Sequence, residues 1–247
     1  MALEVTGLDV SQGPRKMVAD ITFTLNPGEV TAVLGANGAG KSELVLGLAG
    51  MLPVTAGRIV ADGADLTGKG PDAIRAAGIA AVPEGHRVFT RLSVDDNLRA
   101  AGSALAAADL ATTLADTYKV FPELAERKSQ RAGTMSGGQQ QMLALGHALM
   151  CRPRYLLIDE MSLGLAPLVV KRLIGVVGDL KARGTGILLI EQFTDLALAI
   201  AEQALVLRGG KARYGGPPQA LIEDKGLLDA AYFGVEASAQ GAHVGLG

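Results

Sequence analysis

The sequence carries one stretch with few structural alternatives: Gly35-Ala36-Asn37-Gly38-Ala39-Gly40-Lys41-Ser42, a complete G-x-x-x-x-G-K-[ST] loop. An apolar, β-branched run precedes it (Val30 to Leu34) and a helix-forming run follows it (Glu43 to Ala49). Glycines let the backbone curl so that several N–H groups, together with the helix N-terminus, face phosphate oxygens. In such a loop the lysine, here Lys41, reaches the β- and γ-phosphates, and the hydroxyl, here Ser42, ligates Mg²⁺. Gly35, Asn37, Gly38, Ala39, Gly40, Lys41 and Ser42 are therefore the candidate phosphate-binding residues. The chain is predicted to bind a nucleoside triphosphate.

Composition narrows the setting. With 247 residues the chain has room for one large domain or two small ones, and either can bury a real core. Although 49% of the residues are hydrophobic, no charge-free apolar stretch approaches the length of a membrane helix. The N-terminus lacks a basic start leading into an apolar run, so no signal peptide is expected. The single cysteine, Cys151, excludes an internal disulfide and fits a reducing cytosol. A net charge of −2, no Trp and 4% aromatics argue against a nucleic-acid partner. A soluble cytoplasmic protein is the expectation.

Read in order, Leu3 to Val10 and Ile21 to Leu25 alternate as strands, and Asn26-Pro27-Gly28 turns the chain into Val30 to Leu34. Thr55 to Asp62 reads as short strands and turns, Asp72 to Ala77 as a short helix, and Gly78 to Val82 as a buried strand stopped by Pro83. From Glu84 to Arg152 strand formers give way to alanine, leucine and charged residues, as in Ala100 to Tyr118; a helical insert is predicted over 84–152. Strand patterning resumes at Tyr155 to Ile158 and Ile187 to Ile190. Helices are predicted over Leu168 to Arg183 and Asp195 to Glu202, and a closing hairpin over Ala204 to Tyr214. Alternating strands and helices imply an α/β fold with a parallel-sheet core covered on both faces, here with an N-terminal antiparallel β part. A mobile tail is expected over 236–247.

Two further stretches complete the chemistry. Tyr155-Leu156-Leu157-Ile158-Asp159-Glu160 is an apolar strand ending in two acids. It would deliver Asp159 to the sheet rim beside the phosphate loop, to hold Mg²⁺ through water, with Glu160 placed to polarise an attacking water; such general-base help is worth about 10²–10⁴ in rate. Met135-Ser136-Gly137-Gly138-Gln139 opens a helix over Gln140 to Met150 and makes a second anion cradle from Ser136, Gly137 and Gly138. One phosphate loop has no obvious use for two cradles within a single chain. A dimer does, if each chain's second cradle covers the γ-phosphate held by the other.

The order and separation of these three stretches resemble the ATP-binding subunits of ABC transporters, from Leu3 to about Gly234. The resemblance is nearest to the shorter of the two ATPase subunits of branched-chain amino acid importers. It is carried further by Ala81 to Phe89, Gln130 to Leu149, Ser162 to Pro167, Ile190-Glu191-Gln192 and Asp229 to Gly234. It implies a P-loop NTPase of the ABC class in one domain: a nucleotide-binding core over 1–83 and 153–235, and a helical subdomain over 84–152. It also implies roles for two more residues. Glu84 falls where most of the family has the Gln that touches Mg²⁺ and the attacking water, and Gln192 where most have a γ-phosphate-contacting His. ATP and Mg²⁺ are the implied ligands. The implied partners are a second ATPase subunit (alike, or a longer paralogue), two transmembrane permease subunits docking near Glu84 to Leu92, and indirectly an external solute-binding protein. The implied location is the cytoplasmic face of the inner membrane, held there by the permease.

The chain departs from the family pattern at several points. Gln12 stands where an adenine-stacking aromatic is usual, a loss of about 1–3 kcal/mol by analogy with base–aromatic stacking. Met161 replaces the usual Pro, Ala166 the usual Asp, Glu43 a common Thr, and His147 the usual Arg. Three readings stay open: the energising ATPase of an importer, an ABC ATPase acting off the membrane, and a weakly hydrolysing partner that uses ATP as dimer glue. His86, His147 and His243 share no ligand spacing, Cys151 reads as a small buried hydrophobe, and Glu126-Arg127-Lys128 with Arg131 reads as a solvated helix face.

Overall fold

A computed structural model describes residues 1–85 and 87–234. The expected tail over 236–247, His86 and His243 lie outside the described residues. Strands β1 (Leu3–Gln12) and β2 (Arg15–Leu25) form a hairpin, and β4 (Val54–Ala61) and β5 (Ala64–Asp65) complete an antiparallel sheet of order β2-β1-β4-β5. The Thr55 to Asp62 stretch is thus one long strand rather than several short ones. Its pairing with β1 shifts register between Thr6 and Asp9, where Gly7 and Gly57 both have positive φ. A Cβ at Gly57 would stand 2.3 Å from the Gly7 carbonyl oxygen, so the close approach admits only glycine there.

The second sheet has the order β10-β9-β3-β8-β7-β6. Here β3 is Val30–Leu34, β6 Ile79–Val82, β7 Tyr155–Asp159, β8 Gly186–Ile190, β9 Gln203–Arg208 and β10 Lys211–Gly216. Only the β9–β10 hairpin is antiparallel. Successive side chains serve opposite faces, as strand geometry requires. On β7, Leu156 and Ile158 join one core cluster while Tyr155 and Leu157 join another. Ile187 and Leu189 of β8 follow the first, Leu188 and Ile190 the second. The strands are apolar throughout because both faces are covered.

One face carries α1 (Lys41–Leu48) and the antiparallel sheet. The other carries α7 (Pro167–Ala182) and the helices between β6 and β7: α3 (Val94–Ala101), α4 (Ala107–Val120), α5 (Pro122–Ala125) and α6 (Gly137–Leu149). The alanine-rich stretch over Ala100 to Tyr118 covers the end of α3 and most of α4, with a break over 102–106. Glu126 to Lys128 form a turn after α5, not a helix face: Lys128 lies 4.6 Å from the Tyr118 ring and Arg127 binds the Glu123 carbonyl. The short helix α2 (Pro71–Ala76) precedes β6, and α8 (Thr194–Ile200) ends two residues before Glu202. Two helices that strand-and-helix patterning did not mark, α9 (Pro218–Glu223) and α10 (Lys225–Phe233), close a third small core over β9 and the outer half of β3.

Candidate nucleotide site

Parallel strands present their C-terminal ends on one rim, where α/β folds bind ligands. The ladder pairs Val33 with Ile190, Ile190 with Asp159, and Ile158 with Val82, so β3, β8, β7 and β6 end side by side. Gly35 follows β3, Glu160 follows β7, Gln192 lies just past β8 and Glu84 just past β6. Four segments distant in sequence therefore bring the phosphate loop, the two strand-end acids, Glu84 and Gln192 to a single edge.

The phosphate loop is held from behind. Gly35, Gly38 and Gly40 have φ of 147°, 77° and 100°, values L side chains rarely adopt. A Cβ on Gly35 would meet the Leu207 carbonyl oxygen at 2.3 Å, and one on Gly40 the Met17 oxygen at 2.9 Å; at Gly38 nothing lies within 4 Å. The first and last glycines thus let the loop press on β9 and β2, while the middle one opens outward with Asn37. The Gly209-Gly210 turn ties the parts together: Gly210 N–H donates to Ala39 O (3.0 Å) and Ala19 N–H to Gly210 O (2.7 Å). Gly40 is the N-cap of α1 and supplies no side-chain cap to the first N–H groups of the helix. Lys41 is buried, and its ammonium donates to the carbonyls of Gly35 (2.8 Å) and Ala36 (3.2 Å). It is oriented by the loop it serves.

Asp159 is only 3% exposed, and its Oδ1 has no hydrogen-bond partner. Burial pushes its carboxyl up to about 6; the Ser42 hydroxyl bond pulls the other way, the neighbouring Glu160 and Glu84 carboxylates push further up, and Lys41 pulls down. These are the groups assigned from sequence to the triphosphate and its metal, and they sense one another. Glu160 sits in the left-handed region at φ 50°, an uncommon conformation for a long side chain. Its N–H donates to Ile190 O (3.0 Å), which fixes the bend. Gln192 and Glu84 are exposed on the same rim. Met161, in place of proline, is wholly buried.

Ser136, Gly137 and Gly138 form the start of α6. Ser136 Oγ accepts from Gln139 N–H (3.4 Å) and Gln139 Oε1 from Ser136 N–H (3.0 Å), a closed capping box. Ser136 and Gly137 are exposed; Gly138 is buried, and a Cβ there would stand 2.8 Å from Val169 Cγ1 of α7. Gly138 is therefore also a packing glycine, which its place in the motif does not reveal. Ala166 is the N-cap of α7 and makes no side-chain cap, the bond an Asp would supply.

Sequence reasoning missed Asn97 as an organising residue. It is fully buried in α3; its amide donates to the carbonyls of Phe89 (3.0 Å), Leu92 (3.3 Å) and Ser93 (2.8 Å), and its Oδ1 accepts from Phe89 N–H (2.9 Å). The same oxygen lies 3.1 Å from His147 Nε2, whose ring centroid is 5.7 Å from that of Phe89. Burial pushes His147 down to about 4, so the imidazole is neutral and ties the loop after Glu84 to α6. Cys151, half-buried, points its thiol at the His147 carbonyl (3.5 Å). Glu191, buried beside Gln192, carries no signal in the sequence beyond the Ile190-Glu191-Gln192 pattern.

Comparison with known proteins places the chain in a family. The family profile described as "ABC transporter" matches residues 18–162. The chain is 40% identical over 218 residues to the high-affinity branched-chain amino acid transport ATP-binding protein BraG of Pseudomonas aeruginosa, covering 88% of this chain and 94% of that one. It is 30% identical to the lipopolysaccharide export system ATP-binding protein LptB of Escherichia coli strain K12, covering 85% and 88%. The solved "Structure of ATP binding subunit of ABC transporter" superposes with a TM-score of 0.81 at 29% identity, covering 94% of this chain and 98% of that one. The rim of phosphate loop and strand-end acids, on a chain so related over nearly all its length, makes this protein a member of the ABC transporter family, an ATP-binding subunit with ATPase activity.

Proposed function

We propose that this ATPase energises uptake of a small solute, an amino acid of the branched-chain type or a related one, by opening and closing as a dimer. The observation that carries the site reading is the orphaned, buried Asp159 oxygen beside Ser42, Lys41 and Glu160. A hard oxygen-seeking cation held by one carboxylate, one hydroxyl and substrate phosphates fits that donor set, which is the usual way Mg²⁺ is bound. Ser42 and Asp159, the latter through water, with Glu84 at the edge, would hold Mg²⁺, which when bound neutralises charge on the triphosphate oxygens. Gly35 to Ser42 bind and orient the triphosphate through backbone N–H groups and the Lys41 ammonium. Glu160 orients the attacking water and accepts its proton at the carboxylate, and Gln192 supports the γ-phosphate from the neighbouring strand end.

Ser136, Gly137 and Gly138 of a second subunit, either a copy of this chain or a paralogue, cover the same triphosphate. The exposure of Ser136 and Gly137 at a self-capped helix start supports that arrangement. Closure excludes water and completes the electrostatic clamp, and hydrolysis removes the charge that held the jaws together. The exposed Phe89 and Leu92, on the loop pinned by Asn97, support docking of transmembrane permease subunits near Glu84. The chain would then sit on the cytoplasmic face of the membrane as a peripheral subunit. Export is the competing direction, since LptB is named for an export system; the higher identity to BraG, named for branched-chain amino acid transport, favours the amino acid reading.

Glu160→Gln tests the assignment. It is expected to abolish steady-state ATP turnover while preserving ATP-dependent dimerisation, read by sedimentation with Mg²⁺ and ATP. Retained turnover refutes Glu160 as the water-orienting group. Isolating the trapped variant from its native membrane and identifying what co-purifies tests the permease and solute reading.

A further inference from the structure

Glu191 has no role in the mechanism above, and its setting is unusual. It is 1% exposed and forms no ion pair among the described residues. A carboxyl buried without a cation is costly unless hydrogen bonds hold it. Its Oε2 accepts a hydrogen bond from Ser162 Oγ, itself 2% exposed, while Oε1 has no partner. Burial and the neighbouring Glu160 carboxylate push its pKa up; the Ser162 hydroxyl and the N–H groups of Gln192 and Ser162 pull the other way, and burial wins.

The geometry explains what such a group does here. Strands β7 and β8 make their last ladder pair at Asp159 and Ile190, beyond which nothing in the ladder holds the chains together. Two cross-links extend the pairing past that point. Glu160 N–H binds Ile190 O at 3.0 Å, and one step further Ser162 Oγ binds the Glu191 side chain. Between them lies Glu160 in its left-handed conformation, which persists only where the surroundings over-determine it. We propose that Glu191 is a positioning residue for hydrolysis: by binding the Ser162 hydroxyl it locks the segment carrying Glu160 against the segment carrying Gln192. This rests on the reading of Glu160 and Gln192 given above.

The test is steady-state ATPase of the full chain for Glu191→Gln, Glu191→Ala, Ser162→Ala and the double variant Glu191→Ala/Ser162→Ala, beside Glu160→Gln. The glutamine amide oxygen still accepts from Ser162, so Glu191→Gln is expected to keep kcat within about threefold of the parent. Glu191→Ala and Ser162→Ala each lose the cross-link and are expected to lower kcat about tenfold, the worth of one hydrogen bond of ordinary strength, at unchanged KM for ATP. The double variant is expected to be no slower than Glu191→Ala, because the Ser162 hydroxyl bond is already gone once the Glu191 carboxyl is removed. Parent-like kcat in Glu191→Ala overturns the proposal, as do multiplying losses in the double variant, a KM that rises in step with the loss, or a Glu191→Gln as slow as Glu191→Ala. If Glu191→Ala does not fold, Ser162→Ala must be slow and Glu191→Gln fast, or the proposal fails. An active Glu160→Gln instead sinks the parent reading, whereas an inactive Glu160→Gln beside a fast Glu191→Ala sinks this inference alone.

Discussion

The loop over 35–42 and the turn over 136–138 are both glycine-bearing starts of helices, yet they are finished to different degrees. The first is left incomplete by its own chain. Gly40 caps nothing with a side chain, Lys41 must bind its own loop carbonyls, and Asp159 beside it has an oxygen with no partner. The second is closed upon itself by the Ser136–Gln139 capping box and lies on the surface. Buried polar groups without partners are rare in native proteins and call for an explanation, such as an ion or ligand that completes them. A self-satisfied helix start has no such need, and acquires a ligand only when another surface brings one. In the function proposed above, this contrast separates binding by one chain alone from turnover that needs the second cradle.

The largest effect expected from this contrast is at Lys41. Lys41→Ala removes the buried ammonium at the loop and should weaken ATP binding by about 10²–10³, the order found when one preorganised charge-stabilising donor is deleted. Ser136→Ala should leave ATP affinity of the isolated chain within about threefold of the parent, yet lower turnover by a similar 10²–10³. Equilibrium titration with a fluorescent ATP analogue at protein concentrations below dimerisation, followed by ATPase assays above it, distinguishes the two. A Ser136→Ala chain that loses affinity as severely as Lys41→Ala would erase the distinction between the two glycine turns.

A smaller, oppositely signed effect is expected at Asp159. Its folded pKa of about 6 lies above the ordinary value, so the folded chain disfavours the charged form. The protonated carboxyl therefore contributes stability that is fully present below about pH 4 and is lost as pH rises through about 6. Asp159→Asn removes the charge and should stabilise the ligand-free chain by up to about 3 kcal/mol near neutral pH and by nothing near pH 4, while abolishing turnover. Urea unfolding at both pH values, without nucleotide or divalent metal, measures it. A gain of equal size at both would mean that burial of charge is not what distinguishes this rim from the self-capped turn.

How much of this the sequence disclosed follows from the range of the forces involved. The phosphate loop, the acid-ended strand of β7 and the serine–glycine helix start are short local patterns, and each adopts the local structure its residues favour. The convergence on one rim was also foreseeable, because parallel strands share an end. What no local pattern carries is burial set by distant packing. Asp159 and Glu160 are neighbours in sequence, yet only the structure shows one enclosed and the other half-buried in a left-handed conformation. Gly138 reads as an anion-contacting glycine, but Val169, on the next helix layer, is what forbids a side chain there. Asn97 sits in a short helix behind a serine N-cap and resembles any surface amide, although it carries four hydrogen bonds to one loop. The helices α9 and α10 have weak periodic signals and gain their stability from the small core they close over β9.

The smallest effect concerns the side of the site that neither glycine turn supplies. Gln12 ends β1 at an exposed hairpin tip, paired with Arg15, and the returning strand lays the Met17 carbonyl against Gly40. The hairpin is thus fastened to the phosphate loop a few residues from its tip, so a ring placed at position 12 would have a fixed relation to the bound nucleotide. Gln12→Tyr should tighten ATP by about tenfold, near 1.4 kcal/mol and at the low end of what base stacking contributes, because an exposed tip orders only in part. Inorganic triphosphate has no base, and its affinity should be the same for Gln12→Tyr and the parent. Tightening of both ligands alike would mean that the substitution acts through the loop rather than the base, and tightening of neither would mean that the phosphate contacts of residues 35–42 carry the affinity without help from the hairpin.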